Sequence, residues 1–556
     1  MTNHRTHIEL FAGCGGLCLG LESEGIELLF ANELSPMAGE TFAYNILGED
    51  LLRLSNQASP ATPVSTLWLN SKFRSDSISR RLSENPQNPP EPEQRHDERP
   101  LCAKDLERKL LIGSILDLNA HLESNASLAE ELKSLDIDLV SGGPPCQSFS
   151  MAGLRQRDNH RNTLPLEFAR FVSLVKPKMV VLENVSGILH AFSEIKNGKE
   201  TKYYAWHEVA KSFALIGYIP ICLHVNAKYA GVAQNRPRFV MIGIRSDLFP
   251  KLSGNLYFEE ILENSRIFFE RAHSSPTISK EVSGLKYWDT DKHEQYFLNS
   301  PISPFIAYGK KDPSGAAHNK NVHTVEDAIG NLCAEGGKSK KGPYLRLLDK
   351  SFPPLGIKQS KQEIECLHNN NHRANNLRVR KRFRLYQVLS ELQESHPDLV
   401  RDVTSYLKST TGELRESTLK VLLKSYFLEA GDYNERGVLV KYKSADELLR
   451  ALEKLKSKKQ TQRALKRNEP APAALSIPDD ACHYSAELED IRTLSVREMA
   501  RIQSFPDWFV FRSKETTGGQ MRKFQVPQYT QVGNAVPPLL GKAIGKVVNA
   551  LFDQIE

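Results

Sequence analysis

The stretch HIELFAGCGGLCLGLES, residues 7–23, passes from a short apolar run into a glycine turn and then into a helix. Glycines at 13, 15 and 16 let backbone approach a bound molecule closely and leave a helix N-terminus facing it. The next apolar run, IELLFANE (26–33), closes on Glu33, where a carboxylate can accept both hydroxyls of a ribose. The spacing is G-x-G-G rather than G-x-G-x-x-G, and no P-loop lysine follows. The layout therefore suits a nucleoside cofactor better than a dinucleotide or a nucleoside triphosphate, although a plain tight turn explains so short a motif about as often.

The alternation continues outward from this unit. KLLIGSI (109–115), DIDLVSGG (136–143), KMVVLENV (178–185), YIPICLHVNA (218–227) and RFVMIGIR (238–245) are further strand candidates, and a helical stretch at 162–176 separates two of them. Strands apolar enough to be buried on both faces, alternating with helices, predict a doubly wound α/β sheet. Residues 54–100, including SENPQNPPEPEQRHDERP, are rich in Pro, Ser, Asn, Gln and Glu and predict a disordered insertion. Across 246–480 the alternation is lost in favour of irregular stretches and charged helical segments around 376–426 and 444–467. TLSVREMARIQSFPDWF (493–509) and QYTQVGNAVPPLLGKAIGKVVNALF (528–552) read as ordered again. The expected organisation is a catalytic and cofactor-binding domain over 1–250, an inserted domain over 251–490 and a C-terminal return over 491–556.

Bulk properties narrow the class. At 556 residues, 40% hydrophobic and 25% charged, the chain can bury a sizeable core. A net charge of +6 permits a polyanionic partner without demanding one. The start lacks a basic segment followed by an apolar run, and no apolar stretch approaches the ~18 residues of a membrane span. Eight scattered cysteines without a C-x-x-C pair exclude a regular disulfide framework and fit reduced thiols in the cytoplasm.

One thiol stands apart. In SGGPPCQSFS (141–150), Gly142 and Gly143 permit a sharp exit from a strand, and Pro144 and Pro145 restrict the backbone that presents Cys146. A buried structural cysteine is the default reading, but it has no need of so stiff an approach. A nucleophile needs fixed aim, and it needs electropositive neighbours to ionise a thiol of ordinary pKa about 8.5. VVLENV places Glu183 and Asn184 at the same sheet edge, as helix-cap neighbours or as an acid tuned by burial. QNRPRFVMIGIR places Arg236 and Arg238 two residues apart, to pair with a carboxylate or phosphate or to face solvent. CLHNNNH (366–372) brings Cys366, His368 and His372 close but lacks a second ligand pair at recognised spacing, so no metal site is predicted.

In chain order, F-A-G-C-G-G, G-G-P-P-C-Q-S-F-S, E-N-V, Q-N-R-P-R, R-E-M-A-R-I-Q-S-F-P and G-N-A-V-P-P resemble the DNA (cytosine-5)-methyltransferase family, over nearly the whole chain except the insertions. The resemblance implies a Rossmann-like S-adenosylmethionine-dependent methyltransferase domain with a smaller inserted target-recognition domain. It implies that Phe11 packs on adenine, that the backbone of Gly13, Gly15 and Gly16 lines the methionine portion, and that Glu33 holds the ribose. Leu164 would pack on the adenosyl group, with Asn534 and Val536 closing the pocket. The family's third strand commonly ends in Asp before Ile, where the acid reaches the adenine amino group. Here IGSIL offers Ser114, with Asp117 nearby.

For the reaction, the resemblance implies that Cys146 adds to carbon 6 of a cytosine rotated out of double-stranded DNA. Glu183 would bond ring nitrogen 3, Arg238 would brace the base or Glu183, and Arg236 would favour the thiolate and a nearby phosphate. Asn184 would help hold the loop. DNA contacts are expected from RANNLRVRKRFR (373–384), through Arg373, Arg378, Arg380, Lys381, Arg382 and Arg384. Residues 454–467 form a second basic block, either a DNA contact or a solvated linker. A restriction endonuclease is the expected companion, and a membrane is not. A tRNA-acting relative is disfavoured by the large insertion, and a non-catalytic DNA-binding regulator by the intact Cys146, Glu183, Arg236 and Arg238. A dinucleotide oxidoreductase leaves P-P-C-Q without a role.

Overall fold

Strands buried on both faces assemble into one nine-stranded sheet in the computed structural model, which describes residues 4–56, 62–88, 102–145, 163–196, 199–293, 297–306, 322–333, 341–357, 367–409, 413–425, 432–433, 439–440, 442–457, 462–473, 481–485 and 487–556. In chain order the strands are β1 (Arg5–Leu10), β2 (Ile26–Glu33), β3 (Thr66–Trp68), β4 (Lys109–Ile112), β5 (Leu139–Gly142), β6 (Met179–Val185), β7 (Tyr218–Asn226), β8 (Pro237–Arg245) and β9 (Trp288–Asp289). Their order across the sheet is β9-β7-β8-β6-β5-β1-β2-β4-β3. From β3 to β6 every neighbour is parallel, and β8 alone runs against both its neighbours. The expected α/β fold is therefore what the chain forms. The chain leaves β1 towards β2 and β4, then crosses to build β5 and β6 on the other side. That reversal opens a crevice at the carboxyl ends of β1 and β5.

The two faces carry separate layers. Ile8, Leu10, Val140 and Leu182 pack with Phe168 and Phe171 of the helix Leu164–Val175. Leu28, Leu139 and Val181 belong to the opposite layer, with the helices Gly16–Glu22 and Pro538–Ile555. The last two helices cross at glycines. A Cβ on Gly20 would fall 2.4 Å from the carbonyl carbon of Gly541, and one on Gly541 would fall 3.1 Å from the carbonyl oxygen of Leu17.

Two regions differ from the sequence expectation. Within 54–100, expected to be disordered, residues 62–88 are folded, and β3 forms an edge of the central sheet. Trp68 is 1% exposed beneath the guanidinium of Arg81, which lies 5.1 Å from its ring and donates Nε–H to the Phe73 carbonyl at 2.9 Å. A three-residue strand is too short to register against the proline-rich run that follows it. Residues 57–61 and 89–100 lie outside the described residues. The second region, 251–490, is not one unit. The helix Leu256–Ser274 and β9 pack on the sheet, with Phe258 and Ile261 in one sheet layer and Phe268 in the other. A third cluster draws only on 383–491, through the helices Leu377–Glu391, Pro397–Lys408 and Ala445–Leu455.

An asparagine-rich strap joins that third cluster to the return segment. Asn369 brackets the Phe511 peptide, donating from Nδ2 to its carbonyl and accepting its N–H, both at 2.9 Å. Asn370 accepts from Ser495 Oγ at 2.8 Å and Asn375 from the Thr493 N–H at 3.1 Å. Beneath the strap, Arg492 donates to both oxygens of Glu498 at 2.8 and 2.9 Å, and Arg501 to both of Asp507 at 2.7 and 3.0 Å. Burial alone would push the Glu498 carboxyl up, but Arg492 and the Ser495 N–H hold it down at about 2. Asp507 is likewise held at about 2, against burial, by Arg501.

Both carboxyls are depressed below unfolded values of about 4, so their contribution is complete above that range and is lost as pH falls towards about 2. Glu498→Gln should melt below the wild type at pH 7, and the gap between the two melting curves should narrow below about pH 4 and close as pH approaches 2. A gap that stays constant with pH would remove Glu498 from the acid response. At the helix crossing, Gly20→Val should destabilise the fold by about 3 kcal/mol or more, read as an earlier denaturant midpoint, because both clashing partners are backbone.

Candidate active site

Several segments meet at the carboxyl edge, beginning with the loop after β1. Phe11 adopts φ 55°, a left-handed conformation costly for an aromatic residue, and its ring lies 6.4 Å from that of Phe168. Gly13 has φ 57°, and nothing lies within 4 Å of the position its Cβ would take. Gly15 and Gly16 face protein instead. A Cβ at Gly15 would meet the Phe42 ring at 3.0 Å, and one at Gly16 would meet the Val536 carbonyl oxygen at 2.2 Å. Glu33, half-buried at the end of β2, accepts the Gly13 N–H at 2.8 Å on Oε2 and the Ser35 N–H at 2.7 Å on Oε1. Burial pushes its carboxyl up against the pull of these N–H groups. Each oxygen keeps a lone pair for a further donor.

The remaining nucleoside-site candidates surround this loop. Ser114 caps the helix Ile115–Ser124, its hydroxyl accepting the Leu116 N–H at 3.2 Å, and Asp117 accepts from Asn70 Nδ2 at 3.3 Å. Leu164 is partly buried against the layer that also holds Phe11. Asn534 is exposed, while Val536 is partly buried over Gly16.

The ends of β5, β6 and β8 form the second half. A Cβ on Gly142 would fall 2.4 Å from the Leu10 carbonyl oxygen, so only glycine passes there. A Cβ on Gly143 would stand 3.2 Å from Glu183 Oε2, and Asn184 Nδ2 donates to the Pro144 carbonyl at 2.9 Å. Glu183 and Asn184 thus flank the turn that leads to Cys146. Cys146 itself lies outside the described residues. Antiparallel pairing of β8 with β6 sets Arg238 opposite Val185, and its Nε lies 2.6 Å from Glu183 Oε1. Both side chains are buried, and the N–H is not aimed at the oxygen, so Oε1 has no aligned donor among the described residues. Burial lowers the Arg238 guanidinium and the Glu183 charge opposes that shift.

Arg236 turns elsewhere. It is 3% exposed, and its Nη2 donates to the carbonyls of Gly533 at 2.8 Å and Ala535 at 3.1 Å, on either side of Asn534. Burial first, then repulsion from Arg238, pushes this guanidinium far below its ordinary range. The expected partners of this guanidinium are a thiolate and a phosphate. Cys146 lies outside the described residues, and the Nη2 hydrogen bonds clasp the C-terminal return.

The six basic residues expected to face DNA divide. Asn376 caps the helix Leu377–Glu391 by accepting the Val379 N–H at 3.0 Å. Arg378 is exposed, and Arg373, Arg380 and Lys381 are half-buried. Arg382 and Arg384 are buried and turned inward, contrary to expectation. Arg382 donates to the Leu455 carbonyl at 2.7 Å, at the C-terminus of the helix Ala445–Leu455, where a cation is favoured. Arg384 donates to Gln387 Oε1 at 3.0 Å. A run of arginines looks the same in sequence whether it faces phosphates or caps a neighbouring helix. Of the segment CLHNNNH, Cys366 lies outside the described residues, and His368 offers its carbonyl to Arg497 Nε at 2.9 Å. Two clusters elsewhere, His7 with Cys18 and Glu22, and Cys333 with His483 and Asp490, bring potential metal ligands together. In each a guanidinium already occupies the carboxylate, Arg108 on Glu22 at 3.0 Å and Arg492 on Asp490 at 3.3 Å.

Residues 5–54 and 114–550 match the family described as C-5 cytosine-specific DNA methylase. The chain belongs to that family. Its chemistry is methyl transfer to carbon 5 of cytosine in DNA. The chain is 24% identical over 421 residues to the Type II methyltransferase M.DdeI of Desulfomicrobium norvegicum, covering 76% of this chain and 74% of that protein. It is 22% identical over 553 residues to the Type II methyltransferase M.XorII of Xanthomonas oryzae pv. oryzae, covering 98% and 84%. Against the Type II methyltransferase M1.HphI of Haemophilus parahaemolyticus it is 24% identical over 551 residues, covering 98% and 86%. Residues 55–113, which include β3 and β4, fall outside the family match. Among the described residues no helix is long and apolar enough to cross a membrane.

Arg236→Met should loosen the return segment, raising amide exchange in 528–536 by about tenfold or more, as loss of two charge-assisted hydrogen bonds requires. Arg238→Met should leave that segment protected. Equal protection in both variants would show that Arg236 does not hold the return.

Proposed function

We propose that this chain transfers a methyl group from S-adenosylmethionine to a cytosine in a specific double-stranded DNA sequence, with Cys146 as the nucleophile. The observation that carries this reading is the buried Glu183, paired with Arg238 at 2.6 Å and set beside the Gly143–Pro145 turn. A nucleoside cofactor fits the open side of Gly13 and the spare lone pairs of Glu33, and the exposed Asn534 and partly buried Val536 flank the same loop. When bound, S-adenosylmethionine supplies an electrophilic methyl group on a sulfonium sulfur.

Carbon 5 of cytosine is too weak a nucleophile to take that methyl group unaided. The Cys146 thiolate adds to carbon 6 and pushes electron density onto carbon 5. Glu183, which lacks an aligned donor at Oε1, bonds ring nitrogen 3, delivers to it the proton that balances the charge developed as the thiolate adds, and takes that proton back when Cys146 leaves. Arg238 fixes the carboxylate, and Asn184 fixes the turn through the Pro144 carbonyl. Once carbon 5 has taken the methyl group and lost its proton to a base, Cys146 is eliminated as thiolate and the ring regains its aromatic electrons. Arg236 is a positioning residue for the return segment. The target base must leave the duplex, at a cost of a few kcal/mol for unstacking and unpairing.

Target reading falls to the inserted region, within 251–490. The separate cluster of 383–491 suits that role, with Arg373, Arg378, Arg380 and Lys381 offered to phosphates. The Type II names of the relatives support a modification enzyme with a companion restriction endonuclease.

Duplexes carrying 5-fluorocytosine at the recognition site, first located by bisulfite sequencing of DNA from expressing cells, test the assignment. Carbon 5 then has no proton to lose, so the wild type should become covalently joined to DNA, with the link mapping to Cys146. Cys146→Ser should bind cofactor and DNA yet form no adduct and methylate below about one-thousandth of the wild-type rate. Substantial turnover by that variant would reject Cys146 as nucleophile.

A further inference from the structure

We propose that Asn70 reads the adenine edge of the cofactor, its side-chain carbonyl accepting a hydrogen bond from the exocyclic amino group. The inference rests on the S-adenosylmethionine reading above and adds a residue from the stretch that the family match leaves out, 55–113.

Three backbone features place Asn70 at the carboxyl edge. The residue before it, Leu69, donates its N–H to the carbonyl of Ile112, the last residue of β4, at 2.9 Å. Gly113 donates its N–H to the Glu33 carbonyl at 3.0 Å, so the ends of β2 and β4 are laced together. The two segments touch so closely that a Cβ on Gly113 would stand 2.8 Å from that of Leu69. The sheet order β1-β2-β4-β3 then fixes the layout. With the methionine portion at the glycine loop after β1 and the ribose at Glu33, the base falls over the end of β4, beside the residues that follow β3.

An adenine presents an amino group there, and an acceptor must meet it. The hydroxyl of Ser114 accepts the Leu116 N–H at 3.2 Å as a helix cap and keeps one lone pair, whereas Asn70 Oδ1 has no donor among the described residues. Asp117 Oδ2 accepts from Asn70 Nδ2 at 3.3 Å. Because a carboxylate can only accept, that contact fixes the amide, with its NH2 towards Asp117 and its oxygen turned away. Asn70 Oδ1 is buried and has no partner among the described residues. A buried carbonyl oxygen without a donor is costly, and the adenine amino group removes that cost. Hypoxanthine carries an oxygen at the same position and would meet Oδ1 acceptor to acceptor.

Calorimetric titration of the full chain with S-adenosylhomocysteine and with S-inosylhomocysteine tests this. The wild type should favour the adenosyl compound by about tenfold or more. Asn70→Ala should bind that compound about tenfold more weakly and lose the preference, whereas Asn70→Asp, which keeps an acceptor, should retain it. Asp117→Ala, which frees the amide to turn, should shrink the preference without touching Asn70, and it serves if Asn70→Ala fails to fold. A wild-type preference that survives in folded Asn70→Ala or in Asp117→Ala overturns the assignment, as does a wild type that binds both compounds equally. A wild type that binds neither compound overturns the cofactor reading itself, and the role of Asn70 falls with it.

Discussion

Contact between backbone at the two ends of the chain is the constraint on which the molecule depends. The Val536 carbonyl sits where a side chain on Gly16 would have to go, and Gly541 sits where one on Gly20 would go. No side-chain adjustment can relieve either clash, so the return segment has one seat, directly behind the loop that faces the crevice. Polar contacts fix its register. Thr41 donates to Gln531 Oε1 at 2.6 Å, and Arg5 at the start of β1 donates to Asn549 at 2.8 Å and Asp553 at 2.8 Å. The entropy of closing a loop grows only with the logarithm of its length. Several hundred residues can therefore be inserted between the halves at little further cost, provided the closing contact is strong. That is why a large irregular region can interrupt this sheet without dissolving it.

Buried arginine–carboxylate pairs recur, with different consequences at different places. Arg492–Glu498 and Arg501–Asp507 are bidentate, with an aligned N–H on each carboxylate oxygen, and their carboxyls are held near 2. Arg238–Glu183 is a single close contact that leaves Oε1 without an aligned donor. A closed fork is a structural joint, whereas an open one has capacity left for a substrate. The difference lies in geometry rather than residue type, which is why a sequence cannot rank the three pairs.

What was legible in the sequence follows from the same distinction. The long strands, β2, β6, β7 and β8, could be read because burial on both faces leaves a continuous apolar run. The turn before Cys146 could be read because glycine and proline mark backbone directly. β3 was hidden, since three residues carry no period and the proline-rich run beyond them dominates composition. Arg382 was misread because capping a distant helix leaves no local signal, and Arg384 because a basic run does not show which of its members turn inward, here to Gln387 of the same helix. The asparagines of HNNN carry no structural signal of their own, because bracketing the Phe511 and Ser495 regions depends on partners more than a hundred positions away. Asn70 escaped notice for that reason too, its neighbours at Ile112 and Asp117 being brought to it only by the pairing of β3 with β4.

The glycine loop shows how packing and binding share one motif. Of its three glycines, only Gly13 opens onto space, while Gly15 is required by Phe42 and Gly16 by Val536. A motif that reads as a cradle for a ligand is thus mostly a device for seating two other parts of the protein against it. Glu33 joins the two functions, since the Gly13 N–H that it accepts fixes the open end of the loop. Arg236 does the same from the far side, holding the carbonyls that flank Asn534 while its neighbour Arg238 holds Glu183. Two arginines two residues apart at the entry to β8 therefore tie the return segment and the acid to a single rigid strand. The distance between the cofactor side and the base side of the crevice is then set by the pleat of that strand rather than by any flexible connection.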